Sequence, residues 1–349
     1  MADLEKIFKY AVSANASDIH IISGEPLIIR KTGELVKLKT QAPNVSQAMS
    51  LIRQFLNKEQ MDTLQREKQI DFSTEFSDIG RFRGSIMKHQ KGVSAVFRVI
   101  PKEIPTLDGL KLPPVVEEVL AHHQGLILVT GATGHGKSTT LAAMINHINQ
   151  TRSHHVLTLE DPIEFVHPLK KSIITQREVG KHTHSFKNAL KAALREDPDV
   201  IMIGELRDLE SISMAISAAE TGHLVIATLS TSNAAKTVER VVDSFPPEEQ
   251  NQIRAMLSET LKAVITQRLM PSADGKQMML ALEILISNLT ITNLIKDSKT
   301  FQIPSMIQTA KHLGMCLMDE SIASLLHQGL ISEDTARLNI DNPKFLRTE

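Results

Sequence analysis

Tryptophan is missing from this 349-residue chain, tyrosine occurs once, and aromatic residues make up only 3% of it. Stacking platforms for nucleobases therefore have little to be built from. The single cysteine, Cys316, excludes an intramolecular disulfide and a four-cysteine zinc site and fits a reducing compartment. Its plainest role is that of a small buried hydrophobe. Neither sign of charge prevails, since 39 Lys and Arg face 40 Asp and Glu, and this removes the electrostatic case for a protein that lives on nucleic-acid phosphates. No uncharged apolar run reaches transmembrane length; the most apolar stretch, 278–286, is short and carries Glu283. The opening residues, with Asp3, Glu5 and Lys6, do not read as a secretion signal. Membrane association is therefore expected to run through a partner. Histidine is frequent, 14 in all, but neither His154-His155 nor the pair His182 and His184 offers the helical i, i+4 spacing with a nearby acid that hydrolytic zinc sites use.

What is present centres on Gly131-Ala132-Thr133-Gly134-His135-Gly136-Lys137-Ser138, which fits G-x-x-x-x-G-K-[ST] without a mismatch. Residues 126–130 read as a short buried strand leading in, and Leu141, Met144, Ile145 and Ile148 have helical spacing leading out. Glycines let the backbone curl so that successive N–H groups face phosphate oxygens, and the helix N-terminus adds its positive dipole end. The stretch Thr133, Gly134, His135, Gly136, Lys137, Ser138 and Thr139 is thus the expected nucleotide cradle. Lys137 would reach the β- and γ-phosphates, and the Ser138 hydroxyl would hold Mg²⁺.

The length suggests two domains, and 42% hydrophobic residues suffice for sizeable cores. Residues 1–100 read as a small α+β domain: an opening helix, a strand at Ala16–Ile21, a hairpin across Lys31-Thr32-Gly33, a helical stretch near 46–66, and strands at 81–88 and 93–100. Pro101, Pro105, Asp108-Gly109 and Pro113-Pro114 punctuate a linker at 101–113. From 114 to 349 strand and helix patterns alternate, predicting an α/β core with a largely parallel sheet. Its strands are expected at 126–130, 154–160, 199–204 and 223–229, followed by a long helix at 247–268, a turn at Asp274-Gly275, and a helical region from about 290.

Two of those strands run into acids, one into Glu160-Asp161-Pro162-Ile163-Glu164 and the other into Gly204-Glu205. In an open α/β sheet ligands bind beyond the carboxyl ends of the strands. Phosphoryl transfer to water needs an acid that orients and deprotonates the water and an acid near Mg²⁺. Glu164 is the candidate for the first role and Glu205 for the second, directly or through a water.

Taken with the loop, a series of motifs resembles the secretion ATPase superfamily and, within it, the type IV pilus retraction ATPases of the PilT/PilU family. These are Ala16–Ile21, Arg81-Phe82-Arg83, Glu160–Glu164, Thr175–Val179, Ala193–Asp199, Gly204–Asp208 and Ala218–His223. The similarity runs in order from about residue 3 to about 345. It implies a RecA-like P-loop core, a PAS-like N-terminal domain, ATP and Mg²⁺ as ligands, and a homo-hexamer. It further implies a cytoplasmic position at the inner membrane, held there by a pilus platform protein, with other pilus motor ATPases as further partners. By the same resemblance Glu164 matches the catalytic glutamate, Glu205 the Walker B acid and His223 the first His-box histidine, while Arg83 and Arg98 match arginines that reach the γ-phosphate. An always-charged planar fork suits a phosphate whose charge grows in the transition state.

The chain departs from this family at three places. Leu229-Ser230-Thr231 stands where a second His-box histidine is usual, Thr292 stands for an arginine in the 290–297 segment, and His135 replaces a small polar loop residue. Serine cannot become cationic, so charge-based sensing at position 230 is not expected. The rival readings are an accessory PilU-like ATPase, a pilus-assembly or type II secretion ATPase, a binding module without turnover and, more remotely, a nucleic-acid translocase.

Overall fold

The computed structural model describes residues 2–31, 33–76, 79–100 and 103–346. Pro101 and Lys102, at the start of the expected linker, lie outside the described residues, as does Thr32 of the expected hairpin turn. The chain forms two units, Met1–Glu103 with Pro162–Phe165, and Ile104–Asp161 with Val166–Glu349.

The first unit is a six-stranded antiparallel sheet: β1 Asp18–Ile22, β2 Ile28–Lys31, β3 Glu34–Lys37, β4 Gln69–Phe76, β5 Gly80–His89 and β6 Gly92–Ile100. The spatial order is β3-β2-β1-β6-β5-β4. Alternation gives the sheet one apolar face. Ile19, Ile21, Phe82, Ile86, Ala95 and Phe97 pack against Phe8 and Ala11 of the helix Ala2–Ser13, Ala48 and Ile52 of Val45–Arg53, and Leu64 of Lys58–Glu67. Phe8 is the hub, its ring 4.7 Å from that of Phe82 and 5.1 Å from that of Phe97, both near edge-on. The helical stretch expected near 46–66 is two helices. Asn57 accepts from Gln60 N at 2.8 Å and its own N–H is met by Gln60 Oε1 at 2.9 Å, a capping box that starts a second helix in mid-stretch. On the opposite face the registers line up Arg30, Asp18, Arg98 and Arg83 across four adjacent strands.

The second unit is built on seven strands: β7 Gly125–Thr130, β8 His155–Glu160, β9 Ile173–Glu178, β10 Val200–Ile203, β11 Leu224–Leu229, β12 Leu261–Pro271 and β13 Met278–Ile286. Their order is β13-β12-β7-β11-β10-β8-β9, and every pairing is parallel except β12 with β13. β7, β10 and β11 are buried throughout, as strands covered on both faces must be. Ile127, Val129, Val200 and Ile226 pack with Leu141, Met144 and Ile148 of the helix Lys137–Thr151. Their neighbours Leu126, Leu128, Ile201 and Val225 pack on the other side with the helices Phe186–Ala193, Leu209–Glu220, Ala234–Asp243 and Gln250–Thr260.

The single helix expected over 247–268 is a correction. The helix ends at Thr260, and Leu261–Pro271 is β12, inserted between β7 and β13. Ile253 and Leu257 do face the core as helical residues, but from Leu261 the run is buried on both sides and rich in β-branched Val264, Ile265 and Thr266. A buried strand and a buried helix segment look alike by periodicity. Asp274-Gly275 lies in the turn between β12 and β13, where Gly275 N–H reaches Ser272 O at 2.9 Å. Glu283 of β13 is buried and caps two helices, accepting Ala234 N–H at 2.7 Å and Met318 N–H at 3.5 Å. Burial pushes its carboxyl pKa up, partly offset by those two N–H groups. Helices Leu289–Lys296, Ile303–Thr309, Met318–His327 and Glu333–Asn339 follow, and a short 3-10 turn at Pro343–Leu346 ends the described residues.

Candidate nucleotide site

The phosphate loop leaves the carboxyl end of β7, tied at its base by a 2.8 Å hydrogen bond between the Thr130 and Thr266 hydroxyls. Gly131 follows with φ +139°, and a Cβ there would lie 2.5 Å from the Gln267 carbonyl oxygen. The chain can turn here only without a side chain. The loop closes on Gly136, which begins the 15-residue helix Lys137–Thr151 and offers no side-chain cap to its first turn. First-turn N–H groups are thus left for an anion. His135 places Nδ1 3.3 Å from Gln267 O and so tethers the loop to β12. Ser138 is exposed and Thr139 half-buried. Lys137 Nζ folds back to donate to Gly131 O at 2.8 Å and Ala132 O at 3.1 Å. Burial lowers the Lys137 pKa, while the charge of Glu205 pulls it the other way.

Glu205 sits just past β10. Its backbone is fixed by neighbouring β11, since Thr228 Oγ1 donates to Gly204 O at 2.5 Å and Leu206 N–H donates to Thr228 O at 2.9 Å. Its carboxylate takes Arg207 Nε at 2.7 Å and Ser230 Oγ at 3.0 Å. Burial raises the Glu205 pKa, but hydrogen bonds from Arg207 and Ser230 and the charges of Arg207 and Lys137 outweigh it and hold the group below its ordinary value. Arg207 also reaches Asp161 beyond β8, Nη1 to Oδ2 at 3.2 Å. Sequence reasoning missed Arg207 as an anchor of both acids, although it lies within the Gly204–Asp208 motif. Glu160 is buried and occupied structurally, accepting Thr158 Oγ1 at 2.6 Å and Gln176 Nε2 at 3.0 Å.

Glu164 falls in the first unit, where Arg83 Nη1 lies 3.8 Å from its Oε1 and Arg81 Nη2 donates to Ile163 O at 3.5 Å. The motif Glu160–Glu164 is therefore divided between the two units after Asp161. Arg98 pairs with buried Asp18, Nε to Oδ1 at 3.2 Å, and is the cross-strand neighbour of Arg83.

His223 is not brought to the phosphate loop of its own chain. It precedes β11, its carbonyl accepts Gly125 N–H at the start of β7 at 3.0 Å, and its Nδ1 is 3.0 Å from Ala218 O. Six strand residues at about 3.3 Å each put it about 20 Å away, on the amino edge of the sheet.

The donor set fits magnesium. A serine hydroxyl and a carboxylate are hard oxygen ligands, and each Glu205 oxygen keeps acceptor capacity beyond its one hydrogen bond to Arg207 or Ser230.

Comparison with known proteins bears on what such a site does. The model of the type II/IV secretion system protein family matches residues 1–315. A twitching motility protein of Neisseria gonorrhoeae is 47% identical over 91% of the chain and 85% of its own length. The type IV pilus retraction ATPase PilT of Pseudomonas aeruginosa is 44% identical over 96% and 97%. The crystal structure of a pilus retraction motor PilT with bound ADP superposes with a TM-score of 0.87 at 44% identity, covering 97% of each chain.

Proposed function

We propose, from the premise that the chain belongs to the type II/IV secretion system protein family, that it is the ATP-hydrolysing motor that powers type IV pilus retraction. The chain is an ATPase. The observation that carries the reading is the meeting, at the carboxyl edge of one parallel sheet, of a phosphate loop with an acid whose charge reaches Lys137.

In this reading Lys137 exchanges the neutral carbonyls of Gly131 and Ala132 for the charged β- and γ-phosphate oxygens, a gain because hydrogen bonds to an ionised acceptor are the stronger ones. The loop residues Thr133 to Thr139 cradle the phosphates with backbone N–H groups. Ser138 and Glu205 would hold magnesium, directly or through a water, and the ion would supply charge neutralisation on the phosphates. Glu164 orients the attacking water and takes its proton. Arg83 and Arg98, contributed by a neighbouring copy in a homo-hexamer, stabilise the charge that grows on the γ-phosphoryl group. His223, remote from the loop of its own chain, is left the role of a bridge to the subunit interface. Loss of the γ-phosphate then relaxes that interface and drives a rigid-body rotation. Among the described residues no helix is long and apolar enough to cross a membrane. Its likeness to the pilus retraction ATPase supports a motor that works in the cytoplasm and meets the inner membrane through a pilus platform protein.

Two variants test the chemistry. Lys137→Ala is expected to abolish ADP binding, whereas Glu164→Gln keeps binding and cuts phosphate release by about 100-fold or more. Unchanged release from Glu164→Gln would sink the catalytic assignment. In the host, deletion of the gene should give hyperpiliated cells that no longer twitch; bald cells would point to assembly instead.

A further inference from the structure

The carboxyl end of β11 holds Glu205 at two levels. Thr228 fixes the backbone on either side of it, through Gly204 O at 2.5 Å and Leu206 N–H at 2.9 Å. Ser230, the first residue past β11, donates its hydroxyl to Glu205 Oε1 at 3.0 Å. The other oxygen, Oε2, takes Arg207 Nε at 2.7 Å, and Arg207 is itself anchored on Asp161 at 3.2 Å. The terminal torsion of a glutamate is broad and nearly two-fold, so the side chain alone does not choose an orientation for its carboxylate. One donor on each oxygen, Arg207 from the loop of Glu205 itself and Ser230 from just past β11, does.

We propose that Ser230 is a positioning residue: its hydroxyl sets the plane of the Glu205 carboxylate, so that the acceptor capacity left on each oxygen is presented in one orientation. The inference rests on the role given to Glu205 above. It makes the serine at this position a fixed hydrogen-bond donor to the acid rather than a neutral gap left by a missing histidine.

Ser230 is exposed, so Ser230→Ala removes the hydroxyl without opening a core cavity, and Ser230→Thr keeps it. Ser230→Ala is expected to lower kcat about 5- to 10-fold with KM for ATP little changed, the size of one lost hydrogen bond to a charged, partly solvated group. Calorimetry supplies a second readout: ADP affinity without magnesium stays the same, while the gain in affinity on adding Mg²⁺ shrinks by a similar factor. Ser230→Thr is expected to restore both. The proposal is overturned if Ser230→Ala keeps the wild-type kcat and the wild-type magnesium-dependent gain. It is equally overturned if Ser230→Thr is as impaired as Ser230→Ala, because the effect would then be one of packing. Glu205→Gln, measured alongside, separates the two levels. If it leaves turnover unchanged, the role of Glu205 fails and the inference with it; if it abolishes turnover while Ser230→Ala is silent, only the inference fails.

Discussion

Alanine at Gly131 and alanine at Gly134 should have unequal effects, although both glycines belong to the same loop and both have positive φ, +139° and +84°. At Gly134 nothing lies within 4 Å of an added Cβ. The cost there is the left-handed backbone alone, about 1–2 kcal/mol. At Gly131 the same atom would meet the Gln267 carbonyl oxygen at 2.5 Å. That oxygen belongs to the backbone of β12, which is paired with β7 on one side and β13 on the other and cannot shift cheaply. Forced overpacking adds about 1–3 kcal/mol, for a total of about 2–5 kcal/mol. With about 2–4 °C lost per kcal/mol in a unit of this size, Gly131→Ala should melt on the order of 10 °C lower, and Gly134→Ala only a few degrees lower. Thermal melts with and without ADP would decide it. Because the displaced loop also loses its seat on β12, Gly131→Ala should show little ADP-dependent stabilisation even at concentrations that saturate the wild type. Equal melting shifts for the two variants, or a Gly131→Ala protein within about 2 °C of wild type, would refute the steric reasoning.

Two further perturbations probe buried titratable groups. Burial, helped by the charge of Lys170, lowers the His167 pKa from 6.5 to about 4. A folded value below the unfolded one means that the unfolded chain binds the proton more readily, so stability is full above about pH 6.5 and falls as the pH drops toward 4. Between pH 6.5 and 5 the loss should be about 1.5 kcal/mol, visible in denaturant titrations at the two pH values and reduced by that amount in His167→Gln. Identical pH slopes for the two proteins would assign the effect elsewhere. Glu283→Ala leaves two buried N–H groups, those of Ala234 and Met318, without their acceptor, at about 2–4 kcal/mol in total. Glu283→Gln, which keeps one carbonyl oxygen, should lie between wild type and Glu283→Ala in chemical denaturation, and a Glu283→Ala variant as stable as wild type would show that the caps contribute nothing.

The parts of the site that could be read in the sequence are those whose chemistry is local. A phosphate loop is a backbone device, and its glycines, its lysine and the strand and helix on either side are consecutive, so spacing alone marks it. Asp161 after β8 and Glu205 after β10 were legible for a related reason, because in a parallel sheet every strand delivers its next residue to the same edge, whereas Glu164, three residues beyond Asp161, belongs to the first unit. The same rule applied to His223 gives the opposite result: it precedes its strand, and that order already implies the amino edge, remote from Lys137. What spacing cannot convey is which strand lies next to which. Ser230 and Arg207 matter because β11, β10 and β8 are consecutive neighbours in the sheet, which brings Ser230 to Glu205 directly and Asp161 to it through Arg207, although they stand 25 and 44 residues from it in sequence. β12 escaped for a different reason. A run buried on both faces carries no polar period to distinguish strand from helix, and the β-branched Val264, Ile265 and Thr266 were outweighed by the helical spacing of Ile253, Met256 and Leu257 just before them. That strand supplies the Gln267 carbonyl on which both Gly131 and His135 rest, so the piece of secondary structure hardest to read in the sequence is also the one that seats the loop easiest to recognise.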